Sequence, residues 1–236
     1  NRIEKSLNAV LHLLGSRNIR ATFFVLGYVA EKYPDTVKAI AKNGHEIASH
    51  GYFHRPAFAQ TPQEFREDAL RSKEVLEAVA GVKVTGYRAP FFSITKDTLW
   101  ALDILKGLGF LYDSSVFPTK NFLYGIPDAP RTIYRPAQDG LVEFPLSVIK
   151  RMGRNIPVCG GFYMRALPYK VIKWGISYFN RTKGSAVVYL HPWELDTGKP
   201  KIKVELKWKI VYEYNIHTMK KKLERLLNDF RFTTIK

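Results

Sequence analysis

Apolar positions along this chain alternate between two periods. Residues 3–17 carry Ile3, Leu7, Val10, Leu11 and Leu14 at steps of three and four, with Gly15 near the end. That pattern predicts an amphipathic helix. Residues 20–26 form a near-continuous apolar run of strand formers, as in a parallel strand buried on both faces. Residues 30–42 read as a second helix, stopped by Asn43-Gly44. Residues 45–49 then read as a strand that delivers His50 at its C-terminal end.

Further on, Thr61-Pro62-Gln63-Glu64 combines an N-cap, a proline at the first helical position and a reciprocal acid, predicting a helix to about Ala80. Residues 84–92 read as a strand carrying Arg88-Ala89-Pro90-Phe91. A helix over 95–107 has Leu99, Leu102 and Leu105 on one side, and a strand over 110–116 holds Asp113-Ser114-Ser115. Residues 117–165 break the rhythm. They are rich in proline, glycine and aromatics, with one strand-like piece at 141–148, and such an excursion is usually functional or a lid. A helix over 168–181 follows, then an apolar strand over 185–190 ending in His191-Pro192-Trp193-Glu194. A basic helix over 212–230 turns Met219, Leu223, Leu226 and Leu227 inward.

The alternation predicts one α/β domain over 1–236 with a parallel sheet. His50, His54, Arg88, Asp113 and His191 all fall just after predicted strands, where α/β barrels collect their reactive groups. Composition changes this picture little. Apolar content of 46% and charged content of 25% are ordinary for a globular protein, and no run approaches a membrane span. No signal segment stands at the start, and a cytoplasmic location is the expectation. One cysteine, Cys159, rules out an internal disulfide framework and reads as a buried structural thiol. The net charge of +16 favours peripheral contact with anionic surfaces. No nucleic-acid motif accompanies it, so no specific nucleic-acid partner is expected.

The stretch 44–54, GHEIASHGYFH, sets His50 and His54 four residues apart across a glycine. Neutral imidazoles are the commonest metal ligands, and a catalytic centre would add a carboxylate and an open position. His45 and Glu46 read as capping and packing residues of the strand. Taken in order, GHEIASHGYFH, GYRAPF, YDSS and YLHPWE resemble the motif series of the NodB-type polysaccharide deacetylases, carbohydrate esterase family 4. The phrases SHGYFHR, TPQEFRED, GYRAPFFSIT, YDSSVFP, GIPDAPR and YLHPWELD look like the exopolysaccharide-locus subfamily associated with exosortase systems.

The resemblance implies a distorted (β/α) barrel of about seven strands. It implies a divalent metal, usually zinc, held by His50, His54 and an aspartate, with a second aspartate as base. Iron, cobalt or nickel would also suit such a donor set. Both aspartates belong to a first strand that precedes the first helix; this chain opens with that helix, so they are expected upstream of Asn1, in a truncated chain. By the same resemblance His191 protonates the leaving nitrogen and Asp113 orients it. Arg88 pairs with the catalytic aspartate, and without that partner is expected to sit unpaired near the metal. The Phe91 N–H helps hold the oxyanion. Trp193 and Tyr52 are candidate platforms for sugar rings, with ordinary packing the competing reading. The implied activity is removal of N-acetyl groups from a polysaccharide. Alternatives are a related hydrolase of small cyclic amides, or a degenerate domain that binds glycan or metal without turnover. The oligomeric state is not readable from the sequence.

Overall fold

The computed structural model describes residues 2–120, 124–136, 140–198 and 205–236, with backbone alone for 206–208. The chain that reads as one domain divides into two compact units. One comprises Arg20–Leu146, Lys150–Asn155 and Thr233–Lys236; the other comprises Asn1–Ile19, Ser147–Ile149 and Ile156–Phe232. The first helix, α1 (Arg2–Gly15), belongs to the second of these.

The sheet unit runs β1 (Thr22–Val25), α2 (Gly27–Lys32), α3 (Pro34–Lys42), β2 (Glu46–Ser49), α4 (Pro62–Ala80), β3 (Gly86–Tyr87), α5 (Trp100–Gly107), β4 (Tyr112–Asp113) and β5 (Val142–Glu143). The five strands form one sheet in sequence order, every neighbour parallel. This is the winding of a (β/α) barrel wall. Among the described residues five strands pair in this sheet.

Several predicted elements are shorter, for local reasons. The helix expected over 30–42 is two helices. Pro34 opens α3 and bars Tyr33 (φ −133°, ψ 61°) from helical geometry. The strand expected over 84–92 pairs only at Gly86–Tyr87. Pro90 then offers no N–H, and Phe91 and Phe92 are left-handed at φ 58° and 51°. α5 starts at Trp100 after a 3-10 turn at Lys96–Thr98, and Leu99 stands exposed instead of joining Leu102 and Leu105 in the core. β1 is an edge strand of the described sheet, and Thr22, Phe23 and Phe24 are only half-buried. By contrast α4 begins with the predicted capping box and ends at a left-handed Gly81.

The pairing registers fix which side chains share a face. Ser49, Tyr87, Asp113 and Glu143 lie in one row across β2 to β5. Side chains alternate along a strand, so the next residues, His50, Arg88 and Ser114, lie on the opposite face. The Ser49 row looks toward α4: Ser49 Oγ is 2.8 Å from Ser72 Oγ, and the Tyr87 ring packs edge-on to Phe65.

The second unit holds α1, α6 (Gly161–Ala166), α7 (Tyr169–Thr182), α8 (Leu206–Glu213) and α9 (Met219–Asp229). Leu7, Leu11, Leu14, Ile172, Ile176, Phe179, Met219, Leu223 and Leu226 form its core, while Ile3 stays outside. The helix predicted over 212–230 is interrupted at Asn215, left-handed at φ 51°. A hairpin, β6 (Val148–Arg151) and β7 (Arg154–Pro157), shares its residues between the units.

The strand expected over 185–190 does not form. Its backbone is claimed singly: Ala186 N–H donates to Asn180 Oδ1, Val187 N–H to Ser147 Oγ, and the Tyr189 carbonyl accepts from Gly161. Gly160 and Gly161 are needed there, since a Cβ on Gly160 would meet the Tyr189 ring at 2.2 Å. Among the described residues, no helix is long and apolar enough to cross a membrane.

Candidate functional site

The histidine turn is built by α4. Asp68 accepts the Tyr52 N–H at 2.7 Å and the Phe53 N–H at 3.2 Å. Ser72 Oγ donates to the Gly51 carbonyl at 3.0 Å, and Ser49 Oγ accepts the Gly51 N–H at 3.2 Å. Gly51 is left-handed at φ 75°, and a Cβ there would lie 2.8 Å from Asp68 Oδ2, so the turn needs glycine on both counts. Sequence reasoning passed over Asp68 and Ser72. The signal was available: Phe65, Ala69, Ser72 and Leu76 make one buried stripe with half-buried Asp68 beside it, and polar members of an apolar stripe imply partners.

His50 Nδ1 lies 2.7 Å from the Arg88 carbonyl. A carbonyl only accepts, so this nitrogen carries the proton and the ring's lone pair is on Nε2. Anchoring one ring nitrogen on a backbone oxygen is how metal-ligating histidines are oriented. His54, left-handed at φ 60°, sets its ring 5.1 Å from that of His50 and 4.7 Å from that of Phe91. The pair fits two positions around a divalent ion. The described residues contain no group of three His, Cys, Asp or Glu placed to hold one, so they do not supply the third ligand.

Arg88 is buried on the same face as His50. Its Nε donates to the Ser114 carbonyl at 2.9 Å and its Nη2 to Ser114 Oγ at 2.7 Å, and the guanidinium lies over the Phe24 ring at 4.1 Å. The expectation of an unpaired arginine is therefore corrected: Ser114 holds it.

Asp113 belongs to the other face and is fully buried. It accepts from Ser115 Oγ at 2.6 Å and Ser115 N–H at 3.0 Å. Its register partner Glu143 is equally buried and accepts the Val116 N–H on Oε1 at 2.9 Å, while Oε2 meets no donor among the described residues. Burial, then the neighbouring Asp113 charge, push the Glu143 carboxyl well above its ordinary range. The pair is satisfied when Glu143 is protonated and donates to Asp113.

A pH dependence of stability follows. A carboxyl whose folded pKa is raised binds its proton more tightly when folded. Its contribution is present below the ordinary carboxylate range and is lost as pH rises toward the folded value. Glu143→Gln keeps the donor without the titration. Its melting temperature relative to wild type is expected to climb between about pH 4 and pH 8, read by calorimetry; a constant difference would show that Glu143 does not titrate abnormally.

Tyr52 is not an exposed platform. Its ring is buried, its hydroxyl bonds Glu31, and Arg71 lies 3.9 Å above it. The exposed aromatics nearby are Phe53, at 57%, and Tyr28, whose rings are 6.1 Å apart. Phe91 is exposed and left-handed, and its N–H has no partner among the described residues. Left-handed non-glycine residues cost about 1–3 kcal/mol each and persist where surroundings impose them. His45 and Glu46 are structural: His45 Nδ1 accepts the Ala21 N–H, and Glu46 binds Thr22 and Tyr112. Cys159 is buried, which pushes its thiol up to about 12.

In the helical unit, His191 precedes a 3-10 turn at Pro192–Leu195 instead of ending a strand. Its half-exposed ring stacks on Trp193 (5.7 Å, 22°) and meets Tyr189 edge-on. Glu194 Oε2 lies 3.4 Å from its Nδ1. The sequence reading gave His191 an aspartate, Asp113; the structure puts Glu194 at this ring nitrogen and gives both Asp113 oxygens to Ser115.

Residues 3–111 match the family described as Polysaccharide deacetylase, and residues 114–236 match the one described as Domain of unknown function (DUF3473). The chain is 37% identical over 95 residues to a peptidoglycan-N-acetylglucosamine deacetylase of Bacillus cereus, covering 40% of this chain and 34% of that protein. It is 28% identical over 191 residues to the peptidoglycan-N-acetylglucosamine deacetylase PgdA of Listeria monocytogenes, covering 75% and 39%. The chain thus spans about a third of the length of the curated relatives it matches. A crystal structure from Mycobacterium smegmatis, of a candidate polysaccharide deacetylase, superposes with a TM-score of 0.66 at 24% identity. That match covers 98% of this chain and 74% of the other, and shows a shared fold.

Proposed function

Because this chain belongs to the NodB-type polysaccharide deacetylases, we propose that the protein removes acetyl groups from N-acetylated amino-sugar units of a polysaccharide. The observation that carries this reading is the His50–His54 pair, with His50 Nδ1 fixed on the Arg88 carbonyl and its lone pair on Nε2. A divalent ion held by the two imidazoles would polarise the acetyl carbonyl and make water more acidic. Zinc is the ion we assign, and an exopolysaccharide the polymer; the motif phrases that resemble exopolysaccharide-locus deacetylases support the second choice.

The chain's own groups then have separate tasks. The turn tethered by Asp68 keeps His50 and His54 in place. The Phe91 N–H, strained into a left-handed position, is the donor proposed for the developing oxyanion, an interaction typically worth ~3 kcal/mol. His191 gives a proton to the departing amine nitrogen, which leaves poorly without one. Exposed Phe53, with Tyr28 beside it, replaces Tyr52 as the sugar platform near the histidines. Trp193, stacked on His191, remains the platform candidate there.

The test is deacetylation of an N-acetylglucosamine oligomer, followed by mass spectrometry, in the metal-loaded protein. His191→Ala is expected to retain the metal while turnover falls about 100- to 10,000-fold, the usual share of a general acid. Turnover near the wild-type rate would remove His191 from the reaction, and hydrolysis of a cyclic ureide without the oligomer would move the protein to another substrate class.

A further inference from the structure

The carboxylate against His191 comes from its own turn, three residues on. Glu194 is fully buried. One oxygen, Oε1, pairs with Arg165 Nε at 2.7 Å; the other, Oε2, accepts the His191 N–H at 2.9 Å and lies 3.4 Å from the ring Nδ1. Arg165 is itself 1% exposed and cannot turn away. Its remaining nitrogens donate to the Tyr214 carbonyl at 2.9 Å and the Val211 carbonyl at 2.6 Å, at the end of α8. The guanidinium also lies 5.4 Å from the Trp193 ring, the same ring that stacks on His191.

We propose that Glu194 is a positioning residue for His191: it holds the imidazole by Nδ1, leaving Nε2 as the nitrogen that carries the proton to be handed on. The proposal rests on the reading of His191 as the proton donor. Arg165 and Glu194 form a neutral buried pair, and the second carboxylate oxygen, held 3.4 Å from Nδ1, fixes which ring nitrogen bears the proton.

Burial by itself pushes the Glu194 carboxyl up, but hydrogen bonds and charge from His191, with Arg165 behind, outweigh it and hold the group below its ordinary value. Other groups around the turn are the Tyr189 ring edge-on to His191, Tyr212 of α8 against Trp193, and the Arg2–Asp196 ion pair of α1. Sequence offered the spacing, His191 and Glu194 three apart with Pro192 between; only the fold shows that the carboxylate is buried behind the ring.

The experiment uses the whole chain with labelled histidine nitrogens, read by NMR at one fixed pH for which ring nitrogen carries the proton. In Glu194→Gln the share of the Nδ1–H tautomer of His191, relative to Nε2–H, is expected to fall about tenfold, because the ring loses a charged acceptor. Glu194→Gln strands the Arg165 guanidinium and can fail to fold. The double variant Glu194→Gln/Arg165→Met removes that charge and is expected to show the same fall. A tautomer ratio for His191 unchanged in both variants overturns the proposal, even where His191→Ala has lost turnover and the deacetylase reading stands. Full turnover in His191→Ala overturns it as well, because no proton donor would then need positioning.

Discussion

Exchange of His50 for alanine is expected to abolish binding of the divalent ion proposed for the histidine pair. Removing a group that merely orients a ligand typically weakens metal binding 10- to 100-fold. Removing a ligand should exceed that, with deacetylation lost alongside. His54→Ala is expected to match it. The two exchanges differ in side effects. His50 is half-buried and its ring bonds the Arg88 carbonyl, so its loss also leaves that carbonyl without its ring donor. His54 is exposed, and alanine in its left-handed position is strained but opens no cavity. Zinc titration followed by elemental analysis reads the effect directly, without activity. Binding of one equivalent with unchanged affinity in either variant would place the metal elsewhere.

The second large effect concerns stability. Arg165→Ala leaves the Glu194 carboxylate buried without its cation, and breaking such a pair usually costs about 3–5 kcal/mol. Two carbonyls at the end of α8 lose their donor at the same time. Replacing both partners, as in Arg165→Met with Glu194→Gln, is expected to cost far less, since desolvation of two charges no longer opposes folding. Glutamine at 194 keeps an oxygen for the His191 N–H. Denaturant unfolding of the single and double variants measures the gap. A single variant no less stable than the double would mean that the pair is solvated and not the anchor of this turn.

The two effects separate the units by kind. In the sheet unit, backbone contacts arrange the histidine turn: Asp68 and Ser72 clamp it, and the Arg88 carbonyl sets a tautomer. In the helical unit, a buried ion pair arranges the His191 turn.

Much of this protein is determined by its sequence alone. Helical spacing placed α1, α4 and α7 close to their observed bounds, because each has a long amphipathic stripe and clear end signals. The alternation of elements predicted a parallel α/β sheet, and the motif series placed the two histidines at the end of β2. What failed was short or non-local. Residues 84–92 and 185–190 have strand-like side chains, yet a strand exists only where a neighbour offers its backbone, and side chains and turns claim theirs instead. Tyr52 and Phe53 are adjacent aromatics with equal claims in sequence; the clamp by Asp68 and the Arg71 guanidinium bury the first and leave the second outside. Asp113 looked like the partner of a histidine, but register pairs it with Glu143 on the face opposite His50 and Arg88. The motif therefore singled out the candidate residues, while only the tertiary structure decided which partners Asp113 and Glu194 meet, because buried charges take the partners that packing brings within a few ångströms.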